Sequence, residues 1–242
     1  MRLSRHSSRA RGSSPKHHGA GVEERDLPSG TDAPNVAGRR LAGPSQGFGQ
    51  LWRKRFSLSL EPGVPPGEVM REWKRDFSAF WPGSNQLAAD RLEEDAVAAA
   101  DLELPAGTRV ATGLVVLRSE EGGFTLMTLQ GHMFAGWVRF AAAPEGGATD
   151  VSVEIEMRAG DPMYELGLML GGHQREEQFW RDTLTAVAAR FGQRPEVHTE
   201  VQLRDRRRRW SKWRNVWHNA AIRTQLQRGW GWLGSLPGRL RG

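Results

Sequence analysis

From residue 48 onward the chain changes its hydrophobic period twice. Phe56, Leu58 and Leu60 alternate with Ser57 and Ser59, the two-residue period of a strand with one buried face. Pro62-Gly63 ends that strand, and Pro65-Pro66 suits the first turn of a helix, where a missing N–H costs nothing. Val69, Trp73, Phe77 and Trp81 then recur every four residues, so a helix with one aromatic stripe is predicted up to Trp81-Pro82-Gly83. Such a stripe needs a large apolar partner.

From Ala96 the period returns to two. Strands are predicted over residues 97–104, 109–118, 124–129, 134–142 and 149–158. Their separators, Pro105-Ala106-Gly107, Glu120-Glu121-Gly122-Gly123, Gly131-His132 and Pro144-Glu145-Gly146-Gly147, are short and turn-forming, which predicts antiparallel hairpins. In the last strand Val151, Val153, Ile155 and Met157 face one way, and Ser152, Glu154, Glu156 and Arg158 the other. Asp161-Pro162 reads as a helix N-cap and first residue. The helical pattern runs through Met163, Leu166 and Leu170, meets Gly171-Gly172, and resumes with Phe179, Trp180, Leu184, Val187 and Phe191 before Gly192. Each glycine costs about 1 kcal/mol relative to Ala inside a helix, so a kink or a close backbone approach is predicted there. The order of elements predicts an α+β fold, a curved antiparallel sheet of about six or seven strands wrapped on a long C-terminal helix, with a cavity between them.

Composition divides the chain into three. Residues 1–46 carry 8 Lys and Arg against 4 Asp and Glu, residues 47–192 carry 14 against 21, and residues 193–242 carry 12 against 3. The net charge of +6 therefore describes the ends rather than the acidic middle. Residues 1–46 have few large apolar side chains and no periodicity, so a disordered basic segment is predicted, with order beginning near Phe48. His17-His18 reads as a solvated pair. Residues 47–192 read as the domain, and residues 193–242 as a basic, Trp-rich, partly helical tail. The chain has no cysteine, which excludes disulfides, thiolate metal sites and a Cys nucleophile. No apolar leader and no membrane span is legible, and a cytoplasmic location, peripheral to a membrane if the tail binds one, is the expectation.

Several motifs resemble a known family. Phe77-x-x-Phe80-Trp81-Pro82-Gly83, then Gly131-His132-Met133-Phe134-Ala135-Gly136-Trp137, then Arg158-Ala159-x-Asp161-Pro162-x-Tyr164-Glu165 and Gly172-His173 look like an uncharacterised bacterial branch of the START-like, or SRPBCC, superfamily. That superfamily includes lipid-transfer domains, aromatic polyketide cyclases and the birch-pollen-allergen group. The resemblance covers roughly residues 47–192 and implies the helix-grip fold and a hydrophobic cavity; it implies no reaction.

Candidate chemistry is sparse. No phosphate loop, dinucleotide fingerprint, zinc-type histidine spacing or Gly-x-Ser-x-Gly turn is present, and no metal or cofactor is expected. His132, Phe134, Trp137, Arg139, Tyr164 and His173 are the candidate ligand-binding residues. The pattern also allows His132 a turn role, His173 a place on the helix surface and Tyr164 plain packing. Arg139, Glu154, Glu156 and Arg158 either pair on the outside of the sheet or line the cavity, and a one-residue register shift decides which.

In the tail, Arg206, Arg207, Arg208, Arg209, Trp210, Trp213 and Trp217 combine cations with indoles. These ingredients fit an anionic membrane surface, nucleic acid, or packing on the domain or on a second copy. The functional expectation is non-catalytic binding of a small hydrophobic or amphipathic molecule, lipid- or polyketide-like, at a membrane surface. The alternatives are a cyclase- or isomerase-like enzyme using a cavity histidine, and a nucleic-acid-binding protein. The ligand and the oligomeric state are not legible.

Overall fold

The computed structural model describes residues 21–28, 35–104 and 109–226. The turn predicted at Pro105-Ala106-Gly107, the His17-His18 pair and residues 227–242 lie outside the described residues.

Eight antiparallel strands form one sheet. They are β1 (Leu51–Leu60), β2 (Gln86–Ala88), β3 (Val97–Glu103), β4 (Arg109–Glu120), β5 (Gly123–Thr128), β6 (Phe134–Glu145), β7 (Ala148–Ala159) and β8 (His198–Asp205), in the order β2-β3-β4-β5-β6-β7-β1-β8. The five strands predicted from the hairpin run form β3 to β7. β2 has three residues, too few to show a period. β8 lies in the tail and adds to the free edge of β1 from Ser57↔His198 to Leu51↔Asp205.

Helix α1 (Pro66–Arg75) buries Val69, Met70 and Trp73. It stops sooner than the four-residue period predicts, and the chain tightens into a 3-10 turn over Phe77–Phe80 before Pro82. That tightening keeps Phe77 and Phe80 buried and moves Trp81 to the edge of the core. After β7 the chain forms α2 (Pro162–Gly167), where Asp161 accepts the N–H groups of Met163 and Tyr164 as predicted for an N-cap. A π segment, Leu168–Gly172, leads into α3 (His173–Arg190). The predicted kink is present: Gly171 has φ +106°, a conformation that side chains with a Cβ rarely adopt.

The kink overturns one part of the sequence reading. Met163, Leu166 and Leu170, expected to share the buried stripe with the second half of the helix, are exposed. α2 leaves these side chains on the surface, while beyond the kink Leu184, Val187 and Ala188 are buried in the core.

Order also begins earlier than residue 48. The Val22 N–H donates to the Arg39 carbonyl at 2.8 Å, and the Gly38 N–H to the Val22 carbonyl at 2.8 Å. Val22, Val36 and Leu41 pack with Val97, Ala99, Val115 and Leu129, on the sheet face opposite the long helix. The described part of the N-terminal segment therefore covers the outer face of the sheet. These apolar residues follow no period, so no local signal marked them.

The tail is equally attached. After β8 comes a 3-10 segment, Trp210–His218, and then a helical stretch at 220–226. Asn219 Nδ2 donates to Asp161 Oδ2 at 2.7 Å. Asn35 Nδ2 donates to the carbonyl of Ala220 at 3.3 Å and to Thr224 Oγ1 at 3.0 Å, tying the two flanking segments to each other.

Candidate functional site

The inner face of the sheet carries Phe56, Leu58 and Leu60 from β1, Val138, Phe140 and Ala142 from β6, and Val151, Val153, Ile155 and Met157 from β7. Val138, Phe140 and the Val151 series thus face the long helix. Between sheet and helix stands a stack of rings. Phe124 lies parallel to Phe140 at 4.6 Å, Trp73 meets Phe140 edge-on at 5.2 Å, Phe77 meets Phe140 at 5.1 Å, and Trp180 approaches Phe140 at 5.9 Å. The centre of the grip, where the sequence reading expected a guest, is occupied by the protein's own aromatic side chains.

At one end of this interior lies a charged cluster. Lys54 shares the inward phase of Phe56, Leu58 and Leu60, and its side chain has 0% exposure. Its Nζ donates to Glu176 Oε2 at 2.5 Å and to Glu177 Oε1 at 2.9 Å, and lies 3.3 Å from His173 Nδ1. Because an ammonium only donates, His173 Nδ1 accepts here. Burial, helped by the Lys54 charge, holds the His173 pKa down to about 4. The Glu176 carboxyl is pushed up by its burial, against the pull of Lys54. Trp52 packs on the His173 ring at 4.6 Å. Sequence reasoning missed Lys54 and Glu176, although the signal existed: each is a charge at an apolar phase of its element.

A cavity of about 350 Å³ opens elsewhere, at the end of the sheet where the flanking segments meet the β5–β6 turn. Arg40, Leu41, Ala42 and Gln46 come from the N-terminal segment; Leu129 to His132, Phe134 and Ala135 come from the β5–β6 turn and the start of β6. Gly160 and Asp161 close it from the β7–α2 junction, and Lys212 and Asn215 from the tail. The turn and the tail are in close contact, because a Cβ on Gly131, at φ +96°, would stand 2.2 Å from the His218 carbonyl oxygen. The Ala220 N–H donates to the Gly131 carbonyl at 2.9 Å.

Of the six candidate ligand residues, His132 and Phe134 line this cavity. Trp137 and Arg139 have the phase opposite to Val138 and Phe140, so they lie on the outer face and line neither space; Arg139 is exposed. Register decided against them. The Tyr164 hydroxyl accepts the Ala221 N–H at 3.2 Å, holding the tail against α2, and burial raises its pKa. His173 belongs to the Lys54 cluster. On the outer face Arg53 pairs with Glu154, and Arg55 with Asp150 at 2.9 Å. Arg158, of the same outward phase, is buried instead: it donates to the carbonyls of Gly49 at 2.6 Å and Arg207 at 2.9 Å and pairs with Asp205. The arrival of β8 and the tail covers it.

The tail candidates divide. Arg208 Nε donates to Glu165 Oε1 at 2.8 Å, and Arg209 donates to the Ser45 carbonyl. Arg206 and Arg207 present exposed side chains. Trp210 meets the Phe48 ring edge-on at 5.2 Å yet stays 70% exposed, and Trp217 is 73% exposed. Packing of the indole face on the domain is thus not what this structure shows.

His132 is 7% exposed, and its Nδ1 accepts the Phe134 N–H at 3.0 Å. Burial holds its pKa down to about 4. Between pH of roughly 6.5 and roughly 4 the unfolded chain binds a proton at this site that the folded chain refuses, so stability falls as the pH drops through that window. The expected loss is about 3 kcal/mol from this residue. His132→Asn, whose Oδ1 can take over as acceptor, should be less sensitive to acid across that window in urea unfolding. Equal acid sensitivity in the two proteins would reject the assignment.

Neither a family model nor a curated protein matches this chain. Among solved structures, the di-domain ARO/CYC StfQ from the steffimycin biosynthetic pathway superposes with a TM-score of 0.46 at 10% identity, over 60% of this chain and 53% of its own. This chain thus spans about half the length of that protein. A conserved protein from Geobacillus kaustophilus gives a TM-score of 0.44 at 14% identity, covering 60% of this chain and 99% of its own. Ara h 8.0201 gives 0.39 at 12%, covering 56% and 95%. These likenesses concern fold alone, and the chain's own antiparallel sheet, with its long C-terminal helix held against the inner face, forms a helix-grip architecture.

Proposed function

We propose that the protein is a non-catalytic helix-grip module that docks on an anionic membrane surface. One observation carries this reading. Among the described residues, the ten exposed large apolar side chains are Met163, Leu166, Met169, Leu170, Val201, Trp210, Trp213, Trp217, Ile222 and Leu226. All ten belong to α2 with its π segment or to the tail. The two segments adjoin, because Arg208 reaches from the tail to Glu165 and, at 3.3 Å, to Met169 Sδ. Exposed apolar groups gathered in this way mark an interaction surface.

The chemistry around the patch favours lipid. Arg206, Arg207, Arg209 and Arg214 are exposed on the same tail, and each cation near an anionic bilayer contributes about 1 kcal/mol. Indoles at head-group depth keep one edge wet and bury the other. No helix among the described residues is long and apolar enough to cross a membrane, so the contact is made from one side.

Sedimentation with phosphatidylcholine vesicles, with and without phosphatidylglycerol, tests the reading. Binding should require the anionic lipid, weaken as salt is added, and fall about tenfold or more in the combined Trp210→Ala, Trp213→Ala, Trp217→Ala variant. Equal binding to neutral vesicles, no binding at all, or self-association of the free protein through this face would overturn it. Tighter binding to single-stranded RNA than to the vesicles would move the tail to nucleic acid.

A further inference from the structure

The cavity beneath the flanking segments presents hydrogen-bond donors that the protein itself does not use. Arg40 and Lys212 both line it, and among the described residues neither side chain has a carboxylate partner. Asp161 is the one carboxylate among the lining residues, and it is already spent. Its Oδ1 accepts the N–H groups of Met163 at 2.8 Å and Tyr164 at 3.1 Å, and its Oδ2 accepts Asn219 Nδ2 at 2.7 Å. Asn215 likewise directs its amide N–H groups at the carbonyls of Gln46 and Gly160, both at 2.8 Å.

His132 supplies a third free donor. With Nδ1 accepting from Phe134, the neutral ring carries its proton on Nε2, for which the described residues offer no acceptor. Half-buried Phe134 and an edge of Leu41 form an apolar wall beside these groups. The volume of about 350 Å³ falls at the small end of ligand pockets, which combine apolar walls with a few placed polar groups.

We infer that this cavity is a binding site for a small organic anion, a phosphate or carboxylate carried on an apolar body. The anionic oxygens meet Arg40, Lys212 and the Nε2–H of His132, and the body lies against Phe134 and the edge of Leu41. The site differs in place from the interior of the grip. It is built where residues 40–46, the β5–β6 turn and the 3-10 segment of the tail come together, so it depends on the parts of the chain outside the grip itself. The inference does not rest on membrane docking, because the ligand is soluble and the measurement needs no vesicle.

Titration of the full chain with phenyl phosphate, followed by the imidazole nitrogen signals of His132 and by calorimetry, provides the test. Saturable binding with a shift at His132 Nε2 is expected. Arg40→Gln and Lys212→Gln, both on side chains that hold nothing else in place, should each weaken it about tenfold. Benzyl alcohol, the uncharged counterpart, should bind at least tenfold more weakly. Two outcomes would overturn the inference: no His132 shift at saturating phenyl phosphate, or affinity unchanged in both variants. Glycerol 3-phosphate separates a soluble aromatic anion from a lipid head group. If it binds as tightly as phenyl phosphate, the apolar wall has no role and the ligand as described here is wrong.

Discussion

Lys54→Ala is expected to cost about 3–5 kcal/mol of folding stability, the range observed when one partner of a buried ion pair is removed. Lys54 is fully buried, and Glu176, with 7% side-chain exposure, has its nearest cation in Lys54. Removing the ammonium leaves a carboxylate enclosed by apolar groups, and the group responds by taking up a proton. Burial already raises the Glu176 pKa, and Lys54 is the charge that opposes the rise. The variant should therefore lose stability as the pH rises from the ordinary carboxylate range toward neutrality, since the folded state holds a proton that the unfolded state has released. Urea unfolding at several pH values measures both effects. The double variant Lys54→Met, Glu176→Leu should recover most of the loss, because a well-packed apolar pair replaces a buried ionic one at little cost. A double variant as unstable as Lys54→Ala would show that the pair itself, and not the orphaned charge, is what matters.

Phe140→Ala should be comparably severe, about 3–5 kcal/mol. Phe140 has 0% exposure and touches Phe124, Trp73, Phe77 and Trp180, so the rings around it are anchored on both sides of the grip and cannot collapse fully into the gap. The measurement also bears on the occupancy of the interior. If the ring stack is what excludes a guest, the variant gains an apolar hole of the kind that takes up benzene or xenon, and benzene should raise its Tm while leaving the parent protein unchanged. A parent protein stabilised by benzene to the same degree would mean that the grip already holds usable space. A loss under about 1 kcal/mol would mean that the stack is loosely packed.

The residues of the two candidate sites differ in how legible they were. His132 stood out because a histidine beside Gly131 between two strands is conspicuous, and it lines a cavity other than the one between sheet and long helix for which it was singled out. Its neighbours Arg40, Lys212 and Asn215 lie far away in the chain and carry no mark of their own, since a cavity assembled from three separate segments has no sequence period. Trp137 and Arg139 failed as cavity residues for a definite reason. Along β6 each step of one residue reverses the face, and Val138 and Phe140 claimed the inside. Lys54 went unread in the sequence. Its phase matches Phe56 and Leu58, and only the approach of Glu176 from α3 makes an inward lysine tolerable.

By itself the sequence determined the local elements. Alternation along β3 to β7, the turn residues between them, the aromatic stripe of α1 and the Asp161 cap all act within a few residues, so the chain announces them directly. The glycine pair that bends the last helix belongs with these, because an αL backbone angle is a property of one residue. Tertiary structure alone decided where α2 points after that bend, which side of the sheet the N-terminal segment covers, and that the tail becomes an eighth strand on β1. It also decided that a ring stack stands inside the grip and that a cavity forms where the flanking segments meet the β5–β6 turn. These outcomes depend on contacts between residues far apart in the chain, such as Asn35 with Thr224, and on packed volume. Neither leaves a trace in the periodicity of any single segment.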